Sequence, residues 1–97
     1  MTLLRIVRMS FQPEQTAVFK QIFAEKYPHI SRFEGCLSLR LMQDERVKNI
    51  FYTISEWQSA EHLEAYRQSA LFNETWAKTK LLFDAPPKAY SLVDTVF

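Results

Sequence analysis

Aromatic side chains recur at helical spacing in the second half of the chain, and their types suit them to enclosing a ligand. Phe72 and Trp76 are four residues apart, which places them on one face of a helix, and Tyr66 lies one to two turns earlier. With Phe23 from an earlier helical stretch, they could form an apolar slot for a small aromatic molecule. We therefore predict that Tyr66, Phe72, Trp76 and Phe23 bind substrate, although such stripes more often form only a core.

Few side chains could move a proton or hold an anion beside such a slot. His62 and Arg40 are the catalytic candidates, because histidine titrates near neutral pH and arginine stabilises an anionic oxygen. His62 follows Ser59 at a predicted helix start, where a solvated residue near the cap is the simpler interpretation. The arginines within predicted strands, Arg5, Arg8 and Arg40, are most simply explained by pairing with carboxylates across the sheet or at a dimer rim.

The sequence shows no pattern for a metal, a phosphate group or nucleic acid. The two histidines, His29 and His62, lack the spacing of a ligand pair, and Cys36 is the only cysteine. A single glycine, Gly35, excludes glycine-rich phosphate loops. The 12 basic and 11 acidic residues are interleaved, which argues against a nucleic-acid surface. These patterns predict no metal site and no cofactor held by a glycine-rich phosphate loop.

The sequence also shows no targeting or membrane segment. Its apolar runs are shorter than the roughly 20 residues that span a bilayer. The first 11 residues contain arginines rather than an apolar block followed by a cleavage site. A lone cysteine fits a reducing compartment. We therefore expect a cytoplasmic protein that does not bind a membrane.

Hydrophobic periodicity predicts four strands and two helical segments in one domain, residues 1–97. Apolar alternation predicts strands over 2–11, 36–43, 50–57 and 88–96. Apolar residues at helical spacing predict one helical segment from Pro13 onward and a second over 60–83. Pro28 is expected to end or kink the first helix near Tyr27, and Ser69 to cap or kink the second. The order βαββαβ indicates an α+β fold, a ferredoxin-like sandwich with an antiparallel four-stranded sheet.

Both faces of the predicted strands carry apolar residues. In the first strand, Leu3, Val7 and Met9 alternate with Leu4 and Ile6. Two helices cover only one face of such a sheet, and an exposed apolar face favours association. We therefore predict a homodimer in which two sheets pack face to face and bury about 2,000 Å² in total. The alternative is a monomer with scattered exposed apolar side chains.

Four short motifs carry a resemblance to a known family. They are Phe33-Glu34-Gly35-Cys36, Trp57-x-Ser59, Leu63-x-x-Tyr66 and Ser69-x-Leu71-Phe72. With these motifs most of the chain resembles the antibiotic biosynthesis monooxygenases, a family of dimeric α+β barrels. The resemblance implies a homodimer whose sheets form a barrel and a cofactor-independent monooxygenase that acts on a quinol or polyphenol-like aromatic substrate. The alternative is a non-enzymatic dimer of the same fold that binds a small aromatic ligand.

One branch of that family degrades heme and carries an Asn, a Trp and a His. By ungapped matching, these positions fall on Val7, Tyr66 and Trp76, and none of the three is the residue of that branch. An axial histidine holds the heme iron, and this chain has none at the matching place. We therefore do not expect heme degradation.

Overall fold

Four antiparallel strands and three helices build the fold, and the computed structural model describes all of residues 1–97. The strands are β1 (Leu3–Ser10), β2 (Cys36–Gln43), β3 (Ile50–Trp57) and β4 (Lys88–Leu92), and the helices are α1 (Thr16–Ser31), α2 (Ala60–Arg67) and α3 (Ala70–Lys80). The strand order in the sheet is β2-β3-β1-β4, with every neighbouring pair antiparallel. This topology confirms the predicted α+β, ferredoxin-like sandwich.

The ends of two elements differ from the sequence-based prediction. Helix α1 continues through Pro28 to Ser31 and does not end near Tyr27. Ile30, in its last turn, is buried, and that burial favours the helix over an earlier stop.

Strand β4 ends at Leu92, so the predicted extension to residue 96 is wrong. Leu92 pairs with Leu4, and β1 begins only one residue earlier, at Leu3. Because β4 is an edge strand, β1 is its only partner, and β1 does not extend far enough to hydrogen-bond residues beyond Leu92.

Two serine caps shape the second helical segment. The Oγ atom of Ser59 accepts a hydrogen bond from the backbone N–H of His62 at 3.1 Å and so caps α2. The Oγ atom of Ser69 accepts one from the backbone N–H of Phe72 at 3.1 Å and caps α3. The predicted cap at Ser69 is confirmed, and it divides the segment into two helices.

A cluster of buried hydrophobic residues lies at one end of the sheet. Four buried residues form the core cluster there: Met9, Phe11, Phe19 and Phe51. The rings of Phe11 and Phe19 stack with their centroids 4.2 Å apart. Phe83, just after α3, pairs with Phe11 in an isolated β-bridge and closes this end of the helix layer.

The strand register defines the two faces of the sheet. Val7, Met9 and Thr53 face the helices, so their alternating neighbours face away. The apolar residues on the second face are Leu4, Ile6, Met42, Ile50, Tyr52, Ile54, Tyr90 and Leu92. Tyr90 is 50% exposed and Leu92 is 47% exposed. The structure thus confirms that both faces carry apolar residues, while pairing with a second copy stays a prediction.

Measured by length and hydropathy, no helix here could cross a membrane.

Candidate functional site

A cavity of about 300 Å³ lies between the sheet and the helix layer. Of its 19 lining residues, 12 are hydrophobic. The four residues predicted from the sequence to bind substrate, Tyr66, Phe72, Trp76 and Phe23, all line it. The structure therefore brings them together around one space, and their role in substrate binding stays a prediction.

A continuous row of aromatic rings forms one wall of the cavity. The Trp57 and Tyr66 rings stack with centroids 5.1 Å apart, and Phe72 meets Tyr66 edge-on at 5.3 Å. The Phe72 and Trp76 rings are nearly parallel, at 5.8 Å and 11°. Each such pair adds about 0.5–1.5 kcal/mol beyond simple burial. The wall is thus held in shape before any ligand enters.

The hydroxyl group of Tyr66 is free to meet a ligand. The hydrogen bonds made by Tyr66 to Ser69 use its backbone carbonyl, and the phenol oxygen bonds to nothing in the chain. Burial, with a smaller contribution from Cys36, raises the pKa of the Tyr66 phenol to about 12. Tyr66 is therefore a neutral hydrogen-bond donor at ordinary pH and cannot serve as a base.

A guanidinium group enters the cavity from the middle of the sheet. Arg5 lies on the helix-facing side of β1, between Ser55 of β3 and Ser91 of β4. Its Nη1 atom donates to the Oγ atom of Ser91 at 2.9 Å, the only hydrogen bond of its side chain. Burial and then the charge of Arg67 lower the pKa of Arg5, and Glu64 opposes them. The guanidinium nevertheless stays charged at any physiological pH.

The prediction that the strand arginines pair with carboxylates across the sheet is wrong, whereas pairing at a dimer rim stays a prediction. The four ion pairs of the chain are Lys26–Glu74, Arg46–Glu45, Arg67–Glu64 and Lys78–Glu74. The register explains this outcome, because the neighbours of Arg5 across the sheet are serines. Those of Arg8 are Tyr52 and Lys88.

Neither catalytic candidate from the sequence lines the cavity. The Nδ1 atom of His62 lies 2.6 Å from the Oγ atom of Ser59, and its ring packs against Gly35. Gly35 has a φ of +89°, and a Cβ there would overlap the His62 ring, so only glycine fits this position. Arg40 is exposed, and its strand neighbour Ile54 lies on the face away from the helices.

Sequence reasoning missed the polar end of the cavity, which contains Arg5, Arg67, Thr53 and Ser55. The Oγ atom of Ser55 accepts a hydrogen bond from Nε1 of Trp57 at 3.0 Å. One signal was present in the sequence: Arg5 interrupts the apolar row that the helix-facing side of β1 otherwise presents. No histidine, cysteine or carboxylate lines the cavity, so it offers heme iron no imidazole ligand.

The chain belongs to the antibiotic biosynthesis monooxygenase family, whose model matches residues 2–78. The family predicted from the four motifs is thereby confirmed. No curated protein matches the sequence.

Several solved structures share the fold. A conserved protein from Methanosarcina mazei Go1 superposes with a TM-score of 0.94 at 16% identity, over 98% of this chain and 94% of its own. A candidate antibiotic biosynthesis monooxygenase from Bordetella bronchiseptica gives a TM-score of 0.86 at 22% identity, over 98% of both chains. At these identities the likeness shows the fold alone.

Replacing Trp76 by Ala should destabilise the fold less than replacing Phe11 by Ala. Phe11 is 0% exposed and surrounded by protein, where Phe→Ala costs about 3–5 kcal/mol. One side of the half-buried Trp76 faces the cavity, so we expect a loss of only about 1–2 kcal/mol. Urea unfolding of both variants measures the difference, and equal losses would show that Trp76 is ordinary core.

The raised pKa of Tyr66 should make folding stability fall in strong alkali. The phenol ionises near pH 10 in the unfolded chain and near 12 in the folded one, so its contribution is complete below pH 10. As the pH rises from 10 to 12, the free energy of unfolding should fall by about 1.4 kcal/mol per pH unit from this group. Comparing unfolding of the wild type and Tyr66→Phe over this range isolates the effect. Parallel curves for the two proteins would rule it out.

Proposed function

We propose that the chain is a cofactor-independent monooxygenase that acts on a quinol or polyphenol-like aromatic substrate. One observation carries this proposal: an aromatic-walled cavity whose polar lining consists of hydrogen-bond donors and cations without any carboxylate. Such a lining favours an electron-rich ring with an ionised oxygen, the form of a phenol that reacts with dioxygen. Membership in the monooxygenase family supports the same reaction class.

The substrate supplies every electron that the reaction needs. A quinol and one dioxygen molecule give a hydroxyquinone and one water: one oxygen atom enters the ring, and the other leaves as water with the two quinol protons. The protein binds the ring against Phe72 and Trp76 and excludes bulk water. The Tyr66 hydroxyl donates to the ring oxygen, while Arg5 and Arg67 raise the local potential and favour its ionised form.

Oxygen labelling tests this reaction directly. Menadiol incubated with the protein under ¹⁸O₂ should give a hydroxyquinone that contains one labelled oxygen atom, detected by mass spectrometry. Autoxidation instead gives menadione and hydrogen peroxide, with no label in the quinone. We expect Tyr66→Phe to lower the rate about tenfold or more, because it removes a donor to the reacting oxygen. The matched control Tyr27→Phe changes a tyrosine that does not line the cavity.

Labelled product that forms equally fast without protein would overturn the proposed reaction. A full rate in Tyr66→Phe would instead remove Tyr66 from the mechanism while leaving the reaction in place.

A binding protein without turnover is the second candidate, and one observation favours it. No histidine, aspartate or glutamate lines the cavity, so no general base is present to take the proton of a neutral phenol. In that case menadiol should bind at the cavity and be recovered without label.

We also propose that the chain works as a homodimer in the cytoplasm. The apolar second face of the sheet supports pairing, because an uncovered face of this kind promotes association. The fold supplies no helix to cover it, since all three helices lie on the other side. The lone Cys36 fits the reducing cytoplasm.

Charging the second face should separate the dimer. Ile54 lies between Ile6 and Arg40 in the middle of that face. Ile54→Glu would bury a carboxylate in the interface, and we expect the dimer to weaken at least about tenfold. Sedimentation velocity at micromolar protein measures the change. Leu81→Glu, at a 74% exposed site after α3, is the matched control. A monomeric wild type would contradict the dimer, and equal dissociation in the control would contradict pairing through the second face.

A further inference from the structure

The cavity contains two positive charges and no negative one. Arg5 and Arg67 both line it, and no aspartate or glutamate is among its lining residues. Arg5 makes no ion pair, and its single side-chain hydrogen bond leaves most of its five donors unused. Arg67 has only a surface contact of 3.5 Å with Glu64, a kind of pair that contributes little. Glu64 offsets the two charges in part, but it does not line the cavity, so an anion inside the cavity would still interact favourably with both arginines.

The two arginines lie at one end of the cavity, and the bare aromatic surface lies at the other. Arg5 is opposite Ser55 in the sheet, the Ser55 hydroxyl bonds to the Trp57 indole, and the Trp57 ring stacks on Tyr66. Arg67 directly follows Tyr66 at the end of α2. The charged groups therefore lie beside Tyr66, whereas Phe72 and Trp76 lead away from them along α3, where the polar lining is uncharged.

We propose that the ligand of this cavity carries a carboxylate group, held between Arg5 and Arg67, on a hydroxylated aromatic system of one or two fused rings. The cavity volume of about 300 Å³ is at the small end for ligand pockets and favours a compact ring system of this size. The oxidation of the ring rests on the proposed function. The carboxylate subsite rests on the position of the two arginines alone.

A carboxylate fits these groups better than a phosphate does. The guanidinium fork of Arg5 matches the two oxygens of a carboxylate in a bidentate pair. A phosphate group has more charge and more acceptor atoms, and the lining offers no lysine and no glycine-rich loop to satisfy them. With one carboxylate bound, one positive charge remains in excess, which still favours an ionised ring oxygen beside Tyr66.

A matched pair of unreactive probes tests the subsite without any oxidation. 2-Naphthoate and 2-naphthamide have the same rings and nearly the same shape, and only the first has a negative charge. By isothermal titration calorimetry, we expect the wild type to bind 2-naphthoate at least about tenfold more tightly than 2-naphthamide. Added salt should weaken 2-naphthoate binding and leave 2-naphthamide binding unchanged.

Charge-removing variants locate the effect. Arg5→Gln should bring the affinity ratio of the two probes close to one, and Arg67→Gln should reduce it partly, because that side chain is about half exposed. Arg46→Gln is the matched control, since it removes the same charge from a loop side chain that is 88% exposed. Circular dichroism checks that each variant is folded. If Arg5→Gln does not fold, the salt dependence and Arg67→Gln still decide the result.

Equal affinity for the two probes in the wild type would overturn the carboxylate subsite, as would a loss of selectivity in Arg46→Gln as large as in Arg5→Gln. Absence of 2-naphthoate binding at millimolar concentration would overturn it too. Failure of the proposed oxidation has a different signature: selective 2-naphthoate binding would then persist, while neither menadiol nor its carboxylated analogue 1,4-dihydroxy-2-naphthoate acquires label.

Discussion

A charged side chain on the helix-facing side of the sheet determines how the helices can pack. Arg5 stands in a row with Leu3, Val7 and Met9, where a fully packed core would otherwise form. A guanidinium group cannot be sealed among apolar side chains without an anion or water, because the cost of desolvating it is several kcal/mol. The helices therefore pack closely around Phe11, at one end of the sheet, and leave open space around Arg5.

The core and the cavity share a boundary, because Met9 and Phe19 of the core cluster also line the cavity. The stacked rings of Phe11 and Phe19 and the bridge to Phe83 fill one end with protein atoms. At the other end, the break at Ser69 divides the helical segment, and the rings of Tyr66 and Phe72 from its two helices meet at that break. The cavity wall thus depends on a single serine cap, whose hydrogen bond fixes where α3 begins.

The alternating and helical patterns were enough to predict the fold, and the aromatic spacing was enough to predict four residues of the cavity wall. The polar end of the cavity could not be predicted, because it depends on which residues lie opposite one another in neighbouring strands. Arg5 was expected to meet a carboxylate, but its neighbours across the sheet are Ser55 and Ser91. His62 was a candidate by residue type, but its ring packs into the space left by the missing side chain at Gly35 and does not line the cavity. The length of β4 likewise depends on where β1 begins, which β4's own residues do not encode.

Both tryptophans of the chain, Trp57 and Trp76, line the cavity. The chain has no third tryptophan whose fluorescence would be insensitive to a ligand in the cavity. A conjugated molecule that enters would lie beside both fluorophores and would absorb or quench their excited states. The intrinsic fluorescence of the unmodified protein is therefore an optical reporter of occupancy, and large compound collections can be screened with it without a label.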